Sequence, residues 1–110
     1  MKIPFQSLIE QITGYAIVIL DVDGTIRSWN AGASALTGYT AREAVGRSLS
    51  AFLGDRVVNA ALKAGHASTQ CWLLRKGGER RWTRNVVQRL KTDSGGAPAL
   101  CWMCQDPFDT

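Results

Sequence analysis

Residues 20–49 read LDVDGTIRSWNAGASALTGYTAREAVGRSL, and each punctuating residue in the run has a local physical task. Asp21-Val22-Asp23-Gly24 lies between two alternating apolar runs, 16–20 and 25–29, and Asp-Gly supplies the positive backbone angles of a tight hairpin. The expectation is strand, turn, strand. Asn30 then precedes Ala31-Gly-Ala-Ser-Ala-Leu36, where its side-chain oxygen can accept the free N–H groups of a helix's first turn. Gly38 can close that helix in the left-handed conformation, Thr40 can cap the next one with Glu43 three residues on, and Gly46 can end it. Two very short helices are predicted here.

Working outward, Ile3, Phe5, Leu8, Ile9 and Ile12 fall at near-helical spacing with Pro4 in the first turn, so a short amphipathic helix is expected before the first strand. On the other side, Asp55 can cap a longer helix through Val57, Val58, Ala61 and Leu62, ended by Gly65. Segments 68–75, 81–91 and 97–105 read as three strands, the last two joined by the loop 92–96. The order implies an α+β fold: a five-stranded antiparallel sheet with short helices over one face. A chain of 110 residues with 45% hydrophobic content builds one domain and one core.

The same residues resemble those of the PAS domain family, in a bacterial form that reads GYAI..LD.DG.I..WN.GA..L.GY...E..GRS. The matching positions are Gly14 to Ile17, Leu20, Asp21, Asp23, Gly24, Ile26, Trp29, Asn30, Gly32, Ala33, Leu36, Gly38, Tyr39, Glu43 and Gly46 to Ser48. Further on, Arg75-Lys76-Gly77-Gly78 is similar to the family's Arg-Lys-Asp-Gly turn, Trp82 stands where that family often has an aromatic residue, and Asp106 where many members end the last strand. The resemblance implies a cap helix over 1–13, a PAS domain over 14–106 and the start of a linker to an output domain over 107–110. It also implies a sensory or dimerising regulatory domain of a bacterial signalling protein, either a sensor histidine kinase or a helix-turn-helix transcriptional regulator. It further implies a small molecule held between the helices and the concave face of the sheet.

Alternation assigns the lining of that space. Cys71 and Leu73, then Thr83, Asn85 and Val87, then Leu100, Trp102 and Cys104 are expected to point inward, with Phe52, Val58 and Leu62 facing them. Of these, Phe52, Val58, Leu62, Leu73, Asn85, Val87, Trp102 and Cys104 are the expected ligand-binding set. An inward Asn85 must find a hydrogen bond, either from a bound molecule or from Thr83, a backbone carbonyl or trapped water. The outward set Trp72, Leu74, Trp82, Val86, Cys101 and Met103, together with Ile3, Phe5, Leu8, Ile9 and Ile12 of the N-terminal helix, is the expected homodimer surface.

Individual positions bear on cofactors. The flavin members need a cysteine where this chain has Leu49, and haem members that ligate iron early in the long helix need a histidine between about Phe52 and Ala61. Here the single histidine is His66, just past Gly65, so the sequence argues against both groups. Cys101-Trp-Met-Cys104 has the CxxC spacing of redox and zinc sites, but on an extended strand residues three apart face opposite ways. No nucleophile with an adjacent base and no phosphate-cradling loop can be read from the sequence, so an enzyme is not expected. The three cysteines, an odd count, fit reduced thiols and a cytoplasmic setting, in keeping with the lack of a long apolar run. The net charge of +4 concentrates in 75–91, where Trp82 is interleaved with Arg75, Lys76, Arg80, Arg81, Arg84, Arg89 and Lys91. A nucleic-acid-binding module using this basic hairpin is the alternative reading; the ordinary solvated face of a hairpin is the simpler one.

Overall fold

Strand β1 (Ala16–Asp21) buries Ala16, Val18 and Leu20 on one face and leaves the intervening residues half-buried on the other. This strand and everything below belong to a computed structural model that describes residues 5–90 and 99–108. Along one edge β1 pairs antiparallel with β4 (Ala99–Gln105), Ala16 opposite Cys104 and Leu20 opposite Leu100. Strand β4 pairs with β3 (Arg80–Leu90), and β3 with β2 (His66–Leu74), giving the antiparallel order β1-β4-β3-β2. The loop 92–96, Lys91 and the expected start of the last strand at Ala97 lie outside the described residues.

The sheet has four strands, not the five expected. The run 25–29 stays beside β1 without forming a regular ladder: Ile19 O accepts Arg27 N–H at 2.8 Å and Ser28 N–H at 3.3 Å, while side chains take two of the remaining places. Ile17 N–H donates to Asn30 Oδ1 at 2.9 Å and Ile19 N–H to Ser28 Oγ at 3.0 Å. Only Asp21 N–H meets a backbone oxygen on that side, Thr25 O at 2.9 Å. Ile26 exchanges hydrogen bonds with the 46–47 segment and keeps only an isolated bridge to Leu20. In the turn itself positive φ falls on Gly24 alone, at 90°, while the Asp23 carboxylate accepts Thr25 N–H at 2.9 Å. Asp23 thus contributes its side chain and not a left-handed backbone.

The helices follow their local punctuation. Helix α1 (Phe5–Gln11) precedes the sheet, and α2 (Ala31–Thr37) is capped by Asn30 and closed by Gly38 at φ 82°. Helix α3 (Ala41–Ala44) carries a full capping box between Thr40 and Glu43. Helices α4 (Ser50–Leu53) and α5 (Asp55–Ala64) follow, the latter ended by Gly65 at φ 77°. Asp55 proves to be the first helical residue and not the cap; Gly54 occupies the cap position without a side-chain bond, and Asp55 faces the positive end of the helix from its first turn. The last carbonyls of α2 are satisfied by the β2–β3 turn, since Arg75 Nε donates to Leu36 O at 3.0 Å and Lys76 N–H to Thr37 O at 2.9 Å. Lys76 also forms an ion pair with Glu43, tying α3 to the same turn.

Between sheet and helices Val18, Leu20, Ile26, Leu73 and Trp102 are fully buried. The aromatic rings of Trp29, Phe52 and Trp102 form a chain, Trp29 lying 5.4 Å from Phe52 and 6.2 Å from Trp102 between centroids. No helix among the described residues is long and apolar enough to cross a membrane.

Two predictions follow from the fixed points of this architecture. Asn30→Ala leaves the N–H groups of Ile17 and Ala33 without acceptors, and urea denaturation should show a loss of about 2–4 kcal/mol; a loss within experimental error would mean that water replaces the amide. The Glu43 carboxyl is held down to about 2 by its hydrogen bonds from Lys76 and the Thr40 N–H. Because the folded value lies below the ordinary one, the contribution of Glu43 is fully present above the ordinary carboxylate range and fades as pH falls from about 4.5 toward 2. The stability gap between wild type and Glu43→Gln should therefore close over that acid window and be flat near neutrality.

Candidate functional site

On the inner face of the sheet, β3 presents Thr83, Asn85 and Val87, β2 presents Cys71 and Leu73, and β4 presents Leu100, Trp102 and Cys104. All are buried except Cys71, which is half-buried. The polar members form one network. Trp102 Nε1 donates to Asn85 Oδ1 at 2.9 Å, and Asn85 Nδ2 donates to Thr83 Oγ1 at 2.9 Å, with Thr83 O and Cys71 Sγ each at 3.3 Å. Thr83 Oγ1 in turn donates to Cys71 O at 2.9 Å. Among the described residues no buried side-chain nitrogen or oxygen lacks a partner. Of the partners that sequence left open for Asn85, the structure supplies Thr83.

Beside Asn85 lies a gap of about 10 Å³, walled by Leu49, Leu53, Val57, Val58 and Ala61 on the helical side and by Ala67, Thr69, Asn85 and Val87 on the sheet. That is room for roughly one water molecule. Of the expected ligand-binding set, Val58, Asn85 and Val87 meet at this gap; the other five do not. Phe52 packs edge-on against Tyr39 at 5.3 Å and beside Trp29, Trp102 closes the aromatic chain, Leu73 is fully buried, and Leu62 is half-buried over Gly24. Cys104 faces elsewhere, into a groove of about 340 Å³ beside Arg81 and Asp106. Val57 and Ala61 are readable as one apolar helical stripe with Val58, whereas Leu49, Leu53 and Thr69 carry no such signal.

The thiols are held in different ways. Burial pushes the Cys104 thiol up to about 12, slightly offset by its hydrogen bond with Thr83, and also raises Cys71. Cys101 was expected on the open outer face, but it is 9% exposed, and burial raises its thiol as well. Around it the outer face does show apolar surface: Trp72 is 49% exposed, Leu74 45% and Met103 37%, while Trp82 and Val86 are half-buried. Trp72 and Trp82 pack edge to face at 5.1 Å, and the Arg80 guanidinium sits over Trp72 at 5.2 Å. Other basic residues of the hairpin have acidic partners: Arg75 with Glu79, Lys76 with Glu43 and Arg81 with Asp106.

Of the expected dimer set, Ile3 lies outside the described residues and Phe5 opens α1. Leu8 is 48% exposed, and Ile9 and Ile12 are half-buried. The backbone carbonyls of Ile9 and Ile12 accept from Asn30 Nδ2 at 3.3 and 3.1 Å, which ties the end of α1 to the start of α2. On this geometry, alkylation of the native protein near pH 8 should proceed at Cys71 before Cys101 and Cys104, and peptide mapping should find the last two modified only as fast as the protein unfolds. Rapid labelling of Cys104 in the folded protein would contradict the packing described.

The family model for the PAS fold matches residues 5–107. Two-component system protein A of Emericella nidulans is 30% identical over 96 residues, an alignment covering 79% of this chain and 14% of that protein's length. The PAS domain of an HTR-like protein from Haloarcula marismortui superposes with a TM-score of 0.79 at 24% identity, over 92% of this chain and 87% of that one. The PAS domain, in complex with ethanol, of a LuxR-family transcriptional regulator from Burkholderia thailandensis gives 0.74 at 18% identity, over 97% and 100%. An antiparallel sheet with its helices on one face, the residue pattern through Asn30 and these matches agree: the chain belongs to the PAS family.

Proposed function

We propose that this PAS domain is a non-enzymatic sensory module of a signal-transduction protein, a sensor histidine kinase or a helix-turn-helix regulator, that takes a molecule of a few heavy atoms at Asn85. The observation that carries the reading is the border of the gap, aliphatic walls from α4, α5 and the sheet with one amide; the gap itself has room for one water, so a ligand of a few heavy atoms would enter by moving the side chains around it. Flat chromophores fit poorly there, because Trp29, Phe52 and Trp102 already occupy the interior and Leu49 closes one wall. The relative solved with ethanol supplies a scale for the ligand class. Output would pass through a pairing of two copies by α1 and the outer sheet face, where Leu8, Trp72, Leu74 and Met103 are exposed. The acidic partners of Arg75, Lys76 and Arg81 weigh against a nucleic-acid surface on the basic hairpin.

The purified protein should be colourless. Titration with ethanol and other short alcohols, followed by amide NMR shifts, should give saturable changes at Val58, Ala61 and Asn85. Asn85→Leu should weaken a polar ligand by about 1–3 kcal/mol through the lost hydrogen bond. Stoichiometric haem or flavin, or shifts that rise linearly without site preference, would overturn the ligand reading. Sedimentation tests the pairing separately: a dimer is expected at tens of micromolar, split by Leu8→Asp, and a wild-type protein that stays monomeric would refute it.

A further inference from the structure

Larger than the gap beside Asn85 is a groove at the other end of the helical layer, between the start of α2 and the end of β4. Its volume of about 340 Å³ lies in the range of small-molecule sites. Gly32 forms part of its floor because no side chain can stand there: a Cβ would lie 1.9 Å from Tyr15 O. Ala16, Ala35 and Leu36 give it an apolar side, and Gly14 and Ala35 leave it open to solvent.

Its charged side is a single opposed pair. Arg81 Nε stands 3.6 Å from Asp106 Oδ2, beyond hydrogen-bond distance, with the side chains 35% and 16% exposed. The other Asp106 oxygen accepts Phe108 N–H at 2.8 Å, which fixes the carboxylate in place. Guanidinium and carboxylate therefore face the groove as neighbours in loose contact, each with hydrogen-bonding capacity that the other does not use.

We infer that this groove binds a compact zwitterion, an α-amino acid with a small or aliphatic side chain, its carboxylate on Arg81 and its ammonium on Asp106. The charge pattern selects the class. A simple carboxylate would satisfy Arg81 but set its charge against Asp106, and a simple amine would do the reverse. A molecule carrying both charges about one residue's width apart meets both and leaves its side chain to Ala16, Ala35 and Leu36. The site is separate from the gap beside Asn85 and does not depend on it.

The test is amide NMR and thermal melting of the protein with L-alanine, L-valine and L-serine at millimolar concentration, beside propionate and isopropylamine. The amino acids should shift Gly14, Gly32 and Gln105 and raise the melting temperature, and the two singly charged analogues should bind at least about tenfold more weakly. Arg81→Gln and Asp106→Asn should each cost about tenfold to hundredfold in affinity, whereas Ala61→Val, which fills the other gap, should leave it unchanged. Circular dichroism melts of each variant show that it is folded. Equal binding of propionate, an absence of shifts with every amino acid, or binding that Ala61→Val removes and Arg81→Gln spares would each overturn the inference.

Discussion

The side chain of Asn30 is the constraint on which most of the structure rests. Only 2% exposed, it accepts from Ile17 N–H and Ala33 N–H through one oxygen and donates toward the carbonyls of Ile9, Ile12 and Tyr15 through its nitrogen. One amide thereby joins the end of α1, the turn before β1, the free edge of β1 and the first turn of α2. An aspartate could accept as Asn30 Oδ1 does but could not donate, and a serine is too short to reach both sides. Gly32 completes the joint: Gly32 N–H meets Ile12 O at 2.9 Å, and the contact of its Cα with Tyr15 O leaves no room for a methyl group. The same joint interrupts the pairing of the 25–28 segment with β1: Ile17 N–H and Ile19 N–H go to the side chains of Asn30 and Ser28, and the backbone contacts that remain, Thr25 O with Asp21 N–H and Ile19 O with Arg27 and Ser28, do not make a regular strand.

A second polar cluster governs the interior. Asn85, 1% exposed, is held by Trp102, Thr83 and Cys71, so its amide is satisfied without any bound molecule. Asn85 Oδ1 takes one bond, from Trp102, and an amide oxygen has two lone pairs, so a ligand hydroxyl at this place would add a bond and displace none. A net hydrogen bond is worth about 0.5–1.5 kcal/mol, so such a bond and the apolar walls would contribute on the same scale. Burying a methylene there contributes about 0.8 kcal/mol, which favours ligands with a short hydrocarbon part over purely polar ones.

What could be read from sequence follows from the range of each interaction. The caps at Asn30 and Thr40, the closures at Gly38 and Gly65 and the inward set on β2, β3 and β4 are decided within a few residues, and the structure shows them as read. The strand expected at 25–29 is reduced to irregular pairing for a reason no periodicity contains: the side chains of Ser28 and Asn30 turn back to accept two of the N–H groups of β1, while Ile19 O and Thr25 O keep backbone partners. Asp55 has cap chemistry, yet Gly54 before it takes the cap position with φ 89°, a conformation set by the tight α4–α5 junction. Alternation correctly separated Cys101 from Cys104 but could not show that the outer face is covered at Cys101 and open at Trp72. The expected ligand set scattered because a list of inward residues does not say which of them fill space and which border it; the large rings of Phe52 and Trp102 fill it.

The two open places on the inner face are adjoining parts of one wall. Asn85 and Cys104 are register partners across β3 and β4, and Asn85 borders the small gap while Cys104 borders the groove. Thr83 braces this pair from the Asn85 side, since its hydroxyl accepts from Asn85 Nδ2 and donates to Cys71 O. A movement of β3 against β4 would be felt at both borders, because Asn85 and Cys104 stand opposite each other. Close-packed cores transmit such displacements because they lack the free volume to absorb them. Strand β4 is also the strand whose outer face carries Met103, opposite Val86 of β3, so its inner and outer surfaces are two sides of one backbone.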